Sequence, residues 1–373
     1  MARNPERLVL IGGGHAHVAV VADWIANGPI CDLPILITPS RYLRYSGMVP
    51  GWIAGQYGAS DGLVDLAALA ARAGAELMLD TCCGLDLIGK SVLTEGGHDV
   101  PFDVLSIDAG GTGRSDRLLK GVRDVLDVRP IDRFVAQLEG IRTAAPLRHV
   151  AVIGGGAAGV ELAFAFRNMA QQAAPPGVTL VSGKPGLVPQ MSASVRTKVT
   201  AELARQGITL VQDDARTVGG QIRIGGEAGN RAFDLVVAAL GSDAPQWPAA
   251  SGVACTDDGF IMVESFQNSI SHDNVFAVGD IAERQDRVVA HSGVHAVMAG
   301  PVLAANLRQV MAGEKANRSY RPRRHSLYLI STGNGSAIAS YGPFAAQGRM
   351  VAALKHWIDK RWITKYARLA AGE

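Results

Sequence analysis

Cysteine is scarce in this chain of 373 residues, and its four copies form no Cys-x-x-Cys pair. Cys31, Cys82, Cys83 and Cys255 therefore suggest neither a disulfide framework nor a zinc pattern, and a reducing, cytoplasmic setting is the expectation. No apolar run approaches the roughly 18 residues of a membrane span. The start, Met-Ala-Arg-Asn-Pro-Glu-Arg, leads straight into an apolar strand, so no secretory leader is expected. Neither sign of charge dominates: 36 Lys and Arg face 34 Asp and Glu, which removes the electrostatic case for nucleic acid. No Ser-His-Asp set and no metal-ligand spacing is readable.

Apolar residue and glycine are plentiful. Hydrophobic residues make up 48%, enough for large buried cores, and the 44 glycines gather at turns after apolar runs. Leu8–Val18 reads Leu-Val-Leu-Ile-Gly-Gly-Gly-His-Ala-His-Val: a buried parallel strand, a tight turn at Gly12, Gly13 and Gly14, then a helix that Gly28 stops. Such a turn brings backbone N–H groups and a positive helix end to a pyrophosphate. His149–Leu162 repeats the pattern, with Gly154, Gly156 and Gly159 filling the full Gly-x-Gly-x-x-Gly frame between a strand and a helix. A third motif, Asn274–Asp280, delivers a Gly279-Asp280 pair at the end of an apolar strand, where a carboxylate can bind a polyol or cap the next turn.

The residues between these motifs refine the reading. A ribose-binding acid commonly ends the second strand of a dinucleotide fold. After Pro34–Thr38 stand Pro39, Ser40 and Arg41 instead, which weakens NAD and leaves FAD open for the first turn. Arg41–Tyr57 is aromatic and glycine-rich and is expected to contact the cofactor. Helical spacing covers Leu63–Ala73, and Arg114–Arg129 looks like a crossing between domains. The second strand of the second copy, Val178–Ser182, also lacks a terminal acid, and nearby Lys184 and Arg196 leave NADPH open beside NADH. Ser326–Ile330 and Ala337–Tyr341 read as strands. A final helix from about Arg349 to Arg368 has an apolar stripe through Val351, Leu354, Ile358, Ile363, Tyr366 and Leu369. Lys355, Lys360, Arg361, Lys365 and Arg368 are assigned to its basic remainder. That composition suits a membrane surface as well as docking on protein.

The order and separation of Gly12–Gly14, Gly154–Gly159 and Gly279-Asp280 resemble the two-dinucleotide-binding-domain flavoproteins, the superfamily of disulfide reductases and type II NADH dehydrogenases. A narrower likeness, over Ile11–Val18, Ser46–Gly55 and Ser331–Phe344, is to the flavoprotein module fused ahead of selenophosphate synthetase in some proteins. The resemblance implies an α/β fold with two Rossmann-like dinucleotide-binding domains, the second inserted in the first, and a C-terminal α+β segment. The expected division is 1–114 with 242–320 for FAD, 115–241 for NADH or NADPH, and 321–373 for the C-terminal segment. It implies cofactor contacts at Gly12, Gly13, Gly14, His15, His17, Ser40 and Arg41, with the crossing turns at Gly110 and Gly241. Gly154, Gly156 and Gly159 would hold the nicotinamide nucleotide, and Gly279 and Asp280 the flavin's ribityl chain.

This chain departs from the resemblance at several positions. His17 replaces the third glycine of the first turn, and Arg41–Gly55 has no redox cysteine, Ser46 standing about where one belongs. His291 and His295 replace the glutamines of a quinone motif. The expected activity is hydride transfer from NAD(P)H through FAD to a small-molecule acceptor, a quinone before others, without a dithiol relay. Glu161, His295 and His291 are the catalytic candidates. A partner-dependent reductase of a protein or selenium species, and an FAD-binding sensor without turnover, remain as alternatives. Peripheral contact with the inner face of a membrane through the last helix, and a homodimer, are left open.

Overall fold

The computed structural model describes residues 6–119, 125–170, 174–218, 221–224 and 233–373. The parallel strands of its two large sheets, in chain order, are β1 (Leu8–Ile11), β2 (Ile35–Thr38), β3 (Glu76–Leu79), β4 (Val104–Ile107), β5 (Val125–Asp127), β6 (His149–Ile153), β7 (Gly177–Val181), β8 (Thr209–Val211), β9 (Leu235–Ala238) and β10 (Val275–Ala277). Two five-stranded sheets result, in the orders β10-β4-β1-β2-β3 and β5-β9-β6-β7-β8. The chain leaves the first sheet after β4, builds all of the second, and returns to pair Val275 with Leu105. β1 and β4 are buried at every position. Helices cover both faces of such a sheet, so its strands read as unbroken apolar runs.

The main helices are α1 (His15–Asn27), α2 (Leu66–Arg72), α3 (Ile131–Ala144), α4 (Ala157–Arg167), α5 (Ala193–Arg205), α6 (Gly293–Met311) and α7 (Arg349–Ala371). α1 and α6 lie close together because Gly300 has no β-carbon; one there would come within 2.7 Å of the Ala19 β-carbon. α6 continues through Pro301, and Ser292 precedes it as the N-cap residue.

Several local expectations change. Leu63–Ala73 is not helical throughout: Leu63–Asp65 pairs with Tyr42–Arg44 as a short antiparallel ladder. Asp65 then caps α2, accepting from the Ala67 and Ala68 N–H groups. The expected crossing 114–129 contains β5 and a short helix at Ser115–Leu118, and residues 120–124 of it lie outside the described residues. The aromatic stretch 41–57 contributes core as well as loop. Its short helix Val49–Ile53 buries Val49, Trp52 and Ile53 in the hydrophobic cluster of the second sheet, beside Phe164 and Phe166.

The C-terminal segment is a three-stranded antiparallel sheet, β11 (Tyr328–Ser331), β12 (Ala337–Tyr341) and β13 (Phe344–Gly348), followed by α7. β13 is an addition to the two strands expected. Ile330 and Ile338 join the core of the second sheet, while Tyr366 is buried in that of the first. This segment therefore packs against both sheets.

Candidate active site

Each glycine turn is set by its own sheet. Gly12 has φ +90°, donates its N–H to Ile37 O at 2.8 Å, and has no room for a β-carbon, which would lie 2.3 Å from Asp108 O. Gly154 repeats the arrangement with φ +134°, a 2.8 Å bond to Val181 O, and Ala239 O in the equivalent position. Gly14 and Gly156 occupy the N-cap positions of α1 and α4 with extended backbone and no side-chain cap. No side chain caps the N-terminal amides of α4, whereas at α1 the Ala16 and His17 amides donate to Asp108 Oδ2.

The third position of the turn differs between the copies. A β-carbon on Gly159 would sit 1.9 Å from Gly154 O. In the first copy His17 points its ring at the matching carbonyl: Nδ1 lies 2.6 Å from Gly12 O, and Nε2 lies 2.9 Å from Ser106 Oγ. A carbonyl only accepts, so Nδ1 carries the proton and Nε2 accepts from the serine hydroxyl. His17 is fully buried, and burial pushes its pKa down to about 4. Its expected cofactor contact is therefore corrected: both ring nitrogens are committed inside the protein.

Around the first turn, Asp280 is 7% exposed and pairs with Arg129 Nη2 at 2.5 Å. His15 packs against both the Tyr45 and Trp362 rings, at centroid distances of 5.6 and 5.2 Å, and those two rings stack on each other at 4.7 Å. His15 Nε2 and Trp362 Nε1 are buried polar atoms without a hydrogen-bond partner among the described residues. Ser40 closes its own turn through Tyr42, and Arg41 forms an exposed ion pair with Asp65 at 2.8 Å. Gly110 and Gly241 both adopt positive φ, and just beyond them Thr112 bridges Asp243 where the chain crosses between the sheets.

A second group gathers under α7. Lys355 Nζ donates to Gly47 O at 3.1 Å, and lies 3.2 Å from Asp359 Oδ2 and 3.9 Å from Glu161 Oε1. Glu161 accepts from Ser331 N–H at 2.7 Å, and Tyr45 donates its hydroxyl to Asp359 at 3.2 Å. Burial raises the pKa of both Glu161 and Asp359, with Lys355 pulling the other way. Burial disfavours the Lys355 ammonium too, but the two carboxylates outweigh it and raise its pKa. The cluster joins a helix of the second sheet, the loop after β2 and the C-terminal helix. Lys355 and Asp359 are the residues the sequence reading missed. Composition puts Lys355 in the basic remainder of the last helix, whereas its Nζ points inward, to Gly47 O and Asp359.

The two histidine candidates lie elsewhere. His295 Nδ1 is 3.0 Å from the Tyr320 hydroxyl, and burial lowers its pKa; His291 packs on the Phe260 ring at 4.3 Å. Both line a cavity of about 40 Å³ beside Gly279 and Arg284, apart from the Lys355 group. Lys184 and Arg196, the basic residues near the second turn, are engaged with Asp214 and Met191 O respectively.

Residues 6–300 match the sequence family described as pyridine nucleotide-disulphide oxidoreductase. The chain belongs to this family. Ferroptosis suppressor protein 1 of Xenopus laevis is 27% identical over 276 residues, which is 70% of each chain. The fold is similar to that of the sulfide:quinone oxidoreductase of Aquifex aeolicus, with TM-score 0.78, 17% identity, and coverage of 98% of this chain and 92% of that one. It is likewise similar to the water-forming NADH oxidase of Lactobacillus brevis bound to NADH, with TM-score 0.71, 18% identity, and coverage of 90% and 75%.

This pyridine nucleotide-disulphide oxidoreductase is an enzyme that uses FAD and a nicotinamide nucleotide. The residues around the first turn fit FAD: three consecutive glycines at a helix start, a largely buried carboxylate at Asp280, and the unpartnered ring nitrogens of His15 and, from α7, Trp362. No cysteine lies in 41–55, the stretch after the second strand where Ser46 stands. Among the described residues no group of His, Cys, Asp and Glu is arranged to hold a metal ion, and no helix is long and apolar enough to cross a membrane.

Proposed function

We propose that the enzyme oxidises NADH or NADPH and passes the two electrons, through FAD, to a quinone. The overall reaction is NAD(P)H + H⁺ + quinone → NAD(P)⁺ + quinol. Bound FAD supplies the hydride-accepting and electron-releasing chemistry, as cofactors of this class do. On this reading Gly12–Gly14, Gly279 and Asp280 hold FAD, and Gly154, Gly156 and Gly159 hold the nicotinamide nucleotide. The FAD unit is 1–114 with 242–320, the nicotinamide unit is 115–241, and 321–373 closes over both.

The observation that carries the proposal is the buried Lys355–Glu161–Asp359 cluster. Quinol formation needs a proton beyond the hydride. A lysine held between two carboxylates whose pKa values are both raised is a proton store inside the protein. Tyr45, bonded to Asp359 and stacked on Trp362, places an aromatic face beside that store, suited to a planar acceptor. The absence of cysteine from 41–55 removes the thiol relay that would otherwise stand there. A quinone is also the acceptor named for the sulfide:quinone oxidoreductase of Aquifex aeolicus, whose fold is similar.

The test is NAD(P)H oxidation with a short-chain, soluble quinone under anaerobic conditions, in the wild type and in Lys355→Met. Removing a positioned acid is expected to lower quinone turnover by about a hundredfold, with FAD content and flavin reduction by the nicotinamide retained. Unchanged quinone turnover in Lys355→Met would contradict the proton role. Turnover that appears only with an added protein or selenium compound would transfer the acceptor to that class.

A further inference from the structure

Asp108 has no part in the proposed electron transfer, although it is the most enclosed carboxylate around the first turn. It ends the run after β4, is 4% exposed, and lies against the start of α1. Its Oδ2 accepts from the backbone N–H of Ala16 at 2.8 Å and of His17 at 3.2 Å. A β-carbon on Gly14 would lie 2.3 Å from Oδ2, and one on Gly279 would lie 2.5 Å from Oδ1. Two of the glycines expected to serve the cofactor therefore make room for this side chain. Oδ2 takes both amides, which leaves Oδ1, on the Gly279 side, as the oxygen free to carry a proton.

The charges around Asp108 do not balance an added anion. The two imidazoles at the start of α1, His15 and His17, are both pushed by burial to pKa values of about 4 and so are neutral near neutrality. From the other side it is faced by Asp280, whose partner is the Arg129 guanidinium. With Asp108 ionised the group carries two negative charges against one positive. FAD brings a diphosphate with two more negative charges to the same helix end, where an anion belongs but a carboxylate already stands. Burial, with Asp280 adding to it and the two amides opposing it, raises the Asp108 pKa to about 7.

We propose that Asp108 is a positioning residue for the flavin cofactor that works as a neutral acid: FAD binding draws one proton from solvent onto Asp108, and the protonated side chain fixes the α1 N-terminus beside Gly279. The proposal rests on the placement of FAD at the first turn. The proton goes from water to the carboxylate and no other bond changes. Affinity for FAD is then level in acid and falls as pH rises, by about tenfold per pH unit once the empty protein has lost the proton.

The test is calorimetric titration of the full-length apoprotein with FAD, at about pH 8, in two buffers of different ionisation enthalpy. Wild type is expected to take up close to one proton per FAD bound. Asp108→Asn keeps the size and an accepting oxygen, and is expected to take up almost none and to bind FAD with affinity independent of pH. His15→Gln is expected to keep the wild-type uptake per FAD bound, which separates Asp108 from the imidazole at the start of α1. FAD binding without proton uptake in wild type overturns the role of Asp108 while leaving the FAD site in place. Uptake that persists in Asp108→Asn, or that disappears in His15→Gln, also overturns it. Failure of wild type to bind FAD at any pH overturns the proposal and the site together.

Discussion

At the third position of the glycine turn, the two halves of the molecule meet the same geometric demand with different residues. Gly159 lets α4 approach Gly154 O; His17 instead bonds to Gly12 O and ties it to Ser106. The histidine is neutral when folded, with its pKa pushed down to about 4 by burial from an ordinary 6.5. The unfolded chain therefore binds more protons between those values. The stabilisation is complete above about pH 6.5 and is lost as pH falls toward 4, on the order of 3 kcal/mol for a shift of this size. Thermal melts of wild type and His17→Gln across that range should converge in acid, with wild type the more stable near neutrality; parallel curves would contradict the assignment. The motif's spacing was enough to locate this turn. It was not enough to place the His17 ring, because Ser106 lies 89 residues away and belongs to another strand.

The last helix shows the same limit at the level of an element. Its existence and extent were legible from the sequence, but only part of its inward face was. The apolar stripe read from the sequence includes Leu354, which is 41% exposed, and the neighbouring Trp357 is 57% exposed. The face that packs inward runs through Lys355, Asp359, Trp362 and Tyr366, spaced four, three and four residues apart. Two of these are charged, so a pattern that looks for apolar residues finds the Tyr366 end of this face, where Ile363 and Leu369 also pack, and misses the Lys355 end. β13 was missed for a different reason: Phe-Ala-Ala-Gln-Gly is mostly exposed and weakly β-forming, and its signal was the Gly342-Pro343 turn before it. Tyr366 is 3% exposed and packs in the core of the first sheet beside Trp362. Truncating a buried aromatic costs roughly 3 kcal/mol or more, so Tyr366→Ala should unfold at clearly lower urea. An unchanged midpoint would mean that α7 does not dock on this core.

Across the whole molecule, two sheets of the same inner strand order are nested, one made entirely between β4 and β10 of the other. That nesting follows from three glycine motifs in a fixed order, and so was readable from the chain. The Lys355 group was not, because Tyr45, Glu161, Ser331 and Lys355 come from four separate segments that only the finished fold unites. The C-terminal segment brings them together by packing on both cores at once. The central claim is that this arrangement moves two electrons from a nicotinamide nucleotide, through FAD, to a quinone. Anaerobic single-turnover spectroscopy of the FAD-loaded protein tests it most directly. NADH or NADPH should bleach the visible flavin band, and a soluble quinone added next should restore it with one quinol formed per flavin. A flavin that neither nucleotide bleaches, or a bleached flavin that quinone leaves unchanged, would contradict the account.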